Sequence, residues 1–242
     1  MKPDLLEQLL EALRHKREAC LVRWLDSGEA GLWVEGRWTS PCPLAPELEA
    51  EIKRAFREGR GRLWELGGER LFLQVFQPPL RLIVVGAVHI AQALVPMAHL
   101  LGYRTVVVDP RRAFASSERF PGTDILDEWP DEALAALDPD RRTAVVVLTH
   151  DPKLDDPALI AALRSDAFYI GALGSRRTHA KRIARLRAMG LDTEELARIH
   201  APIGLDIGAV SPAEIALSIL AEITCRLRGG PKRDRTAATG EA

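Results

Sequence analysis

The chain has 242 residues, a formal net charge of −1 and 47% apolar residues, enough for one large domain or for a medium domain with a small companion. The near-neutral charge gives no reason to expect nucleic-acid or anionic-membrane binding, and no apolar run approaches the roughly 20 residues that span a bilayer. Cys20, Cys42 and Cys225 are scattered with no C-x-x-C pair, which argues against a structural zinc site or a disulfide scaffold.

The opening residues pattern as an amphipathic helix over 4–17 with mixed charges. They lack the apolar centre of a signal peptide, which points to the cytoplasm. Short strands are expected at 19–25, 30–34 and 37–39, a helix at 46–58, and strands at 61–66 and 70–76. Residues 1–77 therefore read as a small α+β module. Gln77-Pro78-Pro79 is a natural boundary, because proline disfavours helix and interrupts strand pairing.

From Leu80 the rhythm becomes strand–helix. Residues 80–85 form an apolar run interrupted only by Arg81, as a parallel strand buried on both faces requires. Gly86 ends it, and a helix is expected over 89–101, with Pro96 bending it. A strand at 104–108 ends at Asp109. After an irregular stretch with a short strand near Ile125 come a helix at 131–137, a strand at 143–149 and a helix at 157–164. A strand at 168–173, a helix at 176–189 and a last strand at 199–203 follow. Ser211-Pro212-Ala213-Glu214 has the capping-box arrangement and opens a helix reaching 227. Residues 229–242 read as a disordered tail. This alternation predicts an α/β, Rossmann-like, doubly wound parallel sheet over residues 80–228.

Ligands of open α/β sheets bind outside the carboxyl ends of the strands, so three turns draw attention. The first, Gly86-Ala87-Val88-His89, with Asp109 ending the next strand, has the layout of a dinucleotide site with a ribose-holding acid. Val88 stands where the fingerprint has its second glycine, which obstructs a diphosphate and weakens an NAD(P) reading. His89 either faces a ligand or caps backbone. The second turn is Thr149-His150-Asp151. The third runs from Gly171 through Gly174 and Ser175 to Arg176 and Arg177, at a helix start whose free N–H groups and partial positive charge suit an anion. Its glycines also serve simply as tight-turn residues, and both readings stand.

Arg177, Lys181 and Arg185, with Arg182 beside them, read as a solvated basic face. Asp151, Asp155 and Asp156 read as loop and helix-cap residues. Ser175 is not in G-x-S-x-G, so no hydrolytic triad emerges, and no residue spacing marks a metal site.

The chain resembles the XdhC/CoxI family of molybdenum hydroxylase accessory proteins over about residues 80–227. The motifs are Val107-Val108-Asp109-Pro110-Arg111, Glu118-Arg119-Phe120-Pro121-Gly122, Leu148-Thr149-His150-Asp151, Tyr169-Ile170-Gly171-Ala172-Leu173-Gly174-Ser175-Arg176-Arg177, Pro202-Ile203-Gly204-Leu205-Asp206-Ile207-Gly208, and the run from Pro212 to Glu222. The resemblance implies a cytoplasmic, non-catalytic chaperone. Such a protein binds molybdenum cofactor (molybdopterin) as transient cargo, helps its sulfuration, and delivers it to xanthine dehydrogenase or a related hydroxylase. A cysteine desulfurase-type sulfurase and the apo-hydroxylase are the implied partners, and a homodimer is compatible with that role. The chain departs from the family at Val88, where a glycine is usual, and in its shortened 1–77 module, which lacks the family's G-S-x-P-R-like and G-G-x-x-E-like segments. Two other functions compete: an NAD(P)-dependent oxidoreductase, favoured by Asp109, and an adaptor with no small ligand.

Overall fold

The computed structural model describes residues 3–230, and the chain divides between Pro78 and Pro79 into two units. The first unit runs α1 (Pro3–Arg14), β1 (Ala19–Trp24), β2 (Ala30–Val34), β3 (Arg37–Thr39), α2 (Pro46–Glu58), β4 (Arg62–Leu66) and β5 (Glu69–Phe76). Its strands form an antiparallel sheet in the order β3-β2-β1-β5-β4. Because side chains alternate along a strand, Cys20, Val22 and Trp24 pack with Leu48, Ile52 and Ala55 of α2. Ala19 and Leu32 pack with Leu5, Leu9 and Ala12 of α1.

The second unit runs β6 (Arg81–Val85), α3 (His89–Leu100), β7 (Arg104–Val108), β8 (Asp124–Leu126), α4 (Pro130–Leu137), β9 (Thr143–Val147) and α5 (Pro152–Leu163). It continues with β10 (Tyr169–Ala172), α6 (Arg176–Ala188), α7 (Thr193–Ala197), β11 (Ile199–His200) and α8 (Pro212–Arg228). All its strand pairs are parallel, in the order β11-β10-β9-β6-β7-β8. The chain crosses from one half of this sheet to the other between β6 and β9. That is the strand order of a doubly wound Rossmann sheet, and the crossing is its switch point.

Alternation again sorts the core into two layers. Leu82, Val84, Val107 and Val146 face α3 and α8, meeting Leu94, Ala98, Ile219 and Ile223. Ile83, Val85, Val108 and Val147 face α4, α5 and α6, meeting Leu134, Leu159, Ala162 and Leu186. Apolar residues pointing to both faces of these strands are what burial on both faces demands.

Three expectations need correction. The helix expected at 157–164 begins at Pro152 instead, with Asp151 as its cap accepting from the Lys153 N–H at 3.0 Å. Pro157 lies inside it. The last strand stops at His200, because Pro202 has no N–H for a ladder. Helix α7 is an addition to the expected elements; Asp192 and Glu195 form its capping box. The expected tail lies, from residue 231 onward, outside the described residues.

A buried carboxylate pins the segment after β11. Glu222 of α8 is 3% exposed. It accepts from the Tyr169 hydroxyl at 2.7 Å and the Gly204 N–H at 2.8 Å, and its other oxygen lies 3.0 Å from His200 Nδ1. Gly204 has φ +90°, and an added Cβ would stand 2.3 Å from Ser218 Oγ, so only glycine lets this loop lie against α8.

Candidate functional site

The parallel sheet delivers the turns after β6, β9 and β10, and the end of β7, to its carboxyl edge. Gly86 leaves β6 with φ +107°, and an added Cβ would come 2.6 Å from Thr149 Cγ2, so the first two turns are in direct contact at the switch point. Thr149 is buried, and its hydroxyl donates to Asp155 of α5. Asp155 in turn accepts from Arg182 of α6 at 3.1 Å, and the same Arg182 nitrogen donates to the Leu173 carbonyl at 2.8 Å. One polar chain thus runs beneath the turns from β9 to the end of β10.

Asp109 closes the other side. It is fully buried: Oδ2 accepts from the Ala87 N–H at 2.9 Å and an Arg111 nitrogen at 2.8 Å, and Oδ1 from the Arg111 backbone N–H and Nε. Burial pushes its carboxyl up, but Arg111 and these N–H groups outweigh that and hold it below the usual carboxylate range. The carboxylate expected to hold a ribose is therefore occupied within the protein. Arg111 is what this position presents outward.

The remaining expected residues fall into two groups. His89, His150, Ser175, Arg176 and Arg177 are exposed at the turns, where a ligand can reach them. Ser175 also caps α6, accepting from the Thr178 N–H at 3.2 Å. Gly174 takes φ +133° to make that turn. Gly171, by contrast, is a packing residue: an added Cβ would stand 2.5 Å from Ile203 Cδ1 and 2.8 Å from Tyr169.

The basic face expected on α6 is only partly solvated. Arg182 is 1% exposed, and Arg185 makes a two-pronged pair with Asp156 at 2.6 and 2.8 Å. Asp155 and Asp156 are buried ion-pair partners near the start of α5 rather than loop acids, a consequence of the earlier start of that helix. Burial pushes Asp155 above the ordinary carboxylate range, more than Thr149 and Arg182 offset.

A separate groove of about 490 Å³ lies between α4 and α5, lined by Leu134, Asp138, Pro139, Pro157 and Ile160 among others, and shares no residue with the turns. Among the described residues no helix is long and apolar enough to cross a membrane. None of their His, Cys, Asp and Glu side chains form a group of three or more able to hold a metal ion.

A family model described as the XdhC Rossmann domain matches residues 82–223, the unit that carries these turns. The chain belongs to the XdhC Rossmann-domain family. The molybdenum cofactor insertion chaperone PaoD of Escherichia coli is 36% identical over 160 residues, which are 66% of this chain and 43% of that protein. A protein of Bacillus subtilis named as a probable xanthine dehydrogenase component is 34% identical over 157 residues, 63% of this chain and 44% of that one. The chain thus spans less than half the length of these curated relatives. A solved structure described as a xanthine dehydrogenase from Bacillus halodurans superposes with a TM-score of 0.68 at 25% identity, covering 93% of this chain and 67% of that one. The XdhC Rossmann unit carries Arg111, which reasoning from the sequence did not place at the site, although Val107-Val108-Asp109-Pro110-Arg111 put it two residues past the strand-end acid.

Proposed function

We propose that this protein is a non-catalytic carrier of molybdenum cofactor, receiving the pterin at the carboxyl edge of its parallel sheet and passing it to a molybdenum hydroxylase. The observation that carries the reading is the α6 turn. Arg176 and Arg177 stand exposed in the first helical turn, with no partner among the described residues, beside a glycine at positive φ. Two free guanidinium groups at a helix start suit the cofactor's phosphate, and a relative 36% identical over 160 residues is named as a molybdenum cofactor insertion chaperone. His89 and His150, exposed at the neighbouring turns, are the groups that would meet the pterin's edge. When bound, the cargo supplies only its own dithiolene and metal chemistry; the chain's residues hold it and limit its access to water.

In this reading the client is xanthine dehydrogenase or a related hydroxylase. A cysteine desulfurase-type enzyme sulfurates the carried cofactor, and the 1–77 module or exposed helices dock these partners in the cytoplasm. The oxidoreductase reading loses support, because Asp109 has no oxygen left for a nicotinamide ribose.

The test is anaerobic purification from cells that make molybdenum cofactor, followed by oxidation of bound pterin to its fluorescent form. Near-stoichiometric pterin, lost in the Arg176→Ala/Arg177→Ala variant, is expected. Protein that stays empty even after incubation with free cofactor would overturn the carrier reading in favour of an adaptor.

A further inference from the structure

Arg111 carries an inference about what kind of group the crevice accepts. A Rossmann sheet discriminates its ligands at the end of the second strand: a carboxylate there takes a ribose diol, whereas an arginine takes a phosphate. The second strand here is β7, and its terminal acid, Asp109, is fully buried with both oxygens engaged. It offers nothing to a diol.

Its hydrogen bonds instead fix a guanidinium. Nε and one terminal nitrogen of Arg111 form a two-pronged pair with Asp109 at 2.8 Å each, and the Phe114 ring centroid lies 4.7 Å from Arg111 Cζ. The other terminal nitrogen, with its two N–H groups, has no partner among the described residues, and the side chain is 40% exposed. Asp109 also ties Arg111 to the turn after the first strand. Asp109 Oδ2 is shared between Arg111 and the Ala87 N–H of the β6 turn. Arg111 further feels the charge of Asp151, in the turn after β9. In sheet order β6 lies between β9 and β7, so the guanidinium stands beside the switch point, tied through Asp109 to the β6 turn. Held by a buried carboxylate, it loses little side-chain freedom on binding an anion.

We infer that Arg111 is the anion anchor of this crevice and that Asp109 is its positioning residue, so the site selects a ligand presenting a phosphate over one presenting a bare ribose diol. This deepens the carrier reading and rests on its assignment of the crevice as the ligand site. Arg176 and Arg177, at the end of β10, stand as many strands from the switch point on its other side and, with no carboxylate to fix them, act as secondary cations.

The test is isothermal titration calorimetry of the full chain with two simple probes, inorganic pyrophosphate (an anion without a diol) and adenosine (a diol without an anion). Pyrophosphate is expected to bind and adenosine not. Arg111→Gln is expected to weaken pyrophosphate by at least about tenfold, the loss of a charge-assisted hydrogen bond. Arg111→Lys, which keeps the charge but not the fork and leaves Asp109 a cationic neighbour, is expected to weaken it less. Binding of adenosine, absence of pyrophosphate binding, or a larger loss in Arg176→Ala/Arg177→Ala than in Arg111→Gln would each overturn the assignment. The two readings fail separately. Copurified pterin without pyrophosphate binding removes Arg111 as anchor and leaves the carrier, whereas pyrophosphate binding by a protein that never holds pterin leaves Arg111 and removes the carrier.

Discussion

Replacing Tyr169 by phenylalanine removes one oxygen from a fully packed site and isolates the worth of the Glu222 bolt. The Tyr169 hydroxyl donates to Glu222 Oε2 at 2.7 Å, and both side chains are buried, at 1% and 3% exposure. A hydrogen bond to a buried charged acceptor contributes about 1.5–3 kcal/mol. The lower half of that range applies here, because the Gly204 N–H and His200 still serve the carboxylate. For a protein of this size, 1 kcal/mol moves the melting temperature by about 2–4 °C, so a fall of about 3–8 °C is expected at pH 7. The pH dependence has a definite sign. Burial pushes Glu222 up, but His200, Tyr169 and Gly204 together hold its folded pKa below the ordinary glutamate value. Its contribution is therefore complete above the unfolded pKa and is lost as the pH falls through the lowered folded one. Without the tyrosine donor the folded pKa rises toward the unfolded one, so the acid loss of stability is smaller and is complete at higher pH. Thermal melts of both proteins from pH 7 down to pH 3 read both effects. A Tyr169→Phe melt within about 1 °C of the parent, with an unchanged acid limb, would refute the reasoning.

Three further outcomes follow from packing and buried charge. Arg182→Met strands Asp155 and should cost about 3–5 kcal/mol by urea unfolding, whereas the Arg182→Met/Asp155→Leu double variant should recover much of it; equal losses in both would show that the pair carries no coupling. Gly204→Ala forces a side chain onto φ +90° and against Ser218 Oγ at 2.3 Å, with an expected loss of about 2–4 kcal/mol in the same assay. Gly171→Ala should cost about 1–3 kcal/mol by crowding Ile203 and Tyr169, and truncating Ile203 to alanine in that background should cost less than it does alone, which a double-mutant cycle measures.

The parallel sheet is legible because its strands are short apolar runs bounded by glycine, aspartate or threonine, and a strand buried on both faces needs no alternation to be read. The start of α5 is misread because Pro157 looks like a first-turn proline, although Asp151-Pro152 offers the same signal with a cap in front of it. Helix α7 escapes because five residues are too few for periodicity, yet its Asp192-x-x-Glu195 box is a sequence signal in its own right. The site is legible only as a set of turns. That Gly86 meets Thr149 follows from topology, but that Asp155 would meet Arg182, 27 positions away, is fixed by the crossing of two helices and by nothing local. Asp109 illustrates the same limit: its spacing from Gly86 predicts its place at the end of β7, not whether its oxygens face a ligand or the protein.

The adjacent Asp155 and Asp156 of α5 hold Arg182 and Arg185, one turn apart on α6. Sliding either helix by one turn would break both pairs at once and leave two carboxylates of at most 4% exposure without their cations, a change of several kcal/mol. These two helices are keyed like gear teeth, and the spacing between the β9 and β10 turns is fixed by charge as well as by packing. Across the switch point Arg111 is indexed in the same way by the fully buried Asp109, although its aromatic neighbour Phe114 is 45% exposed. Each wall of the crevice thus has its arginine set in register by a buried acid.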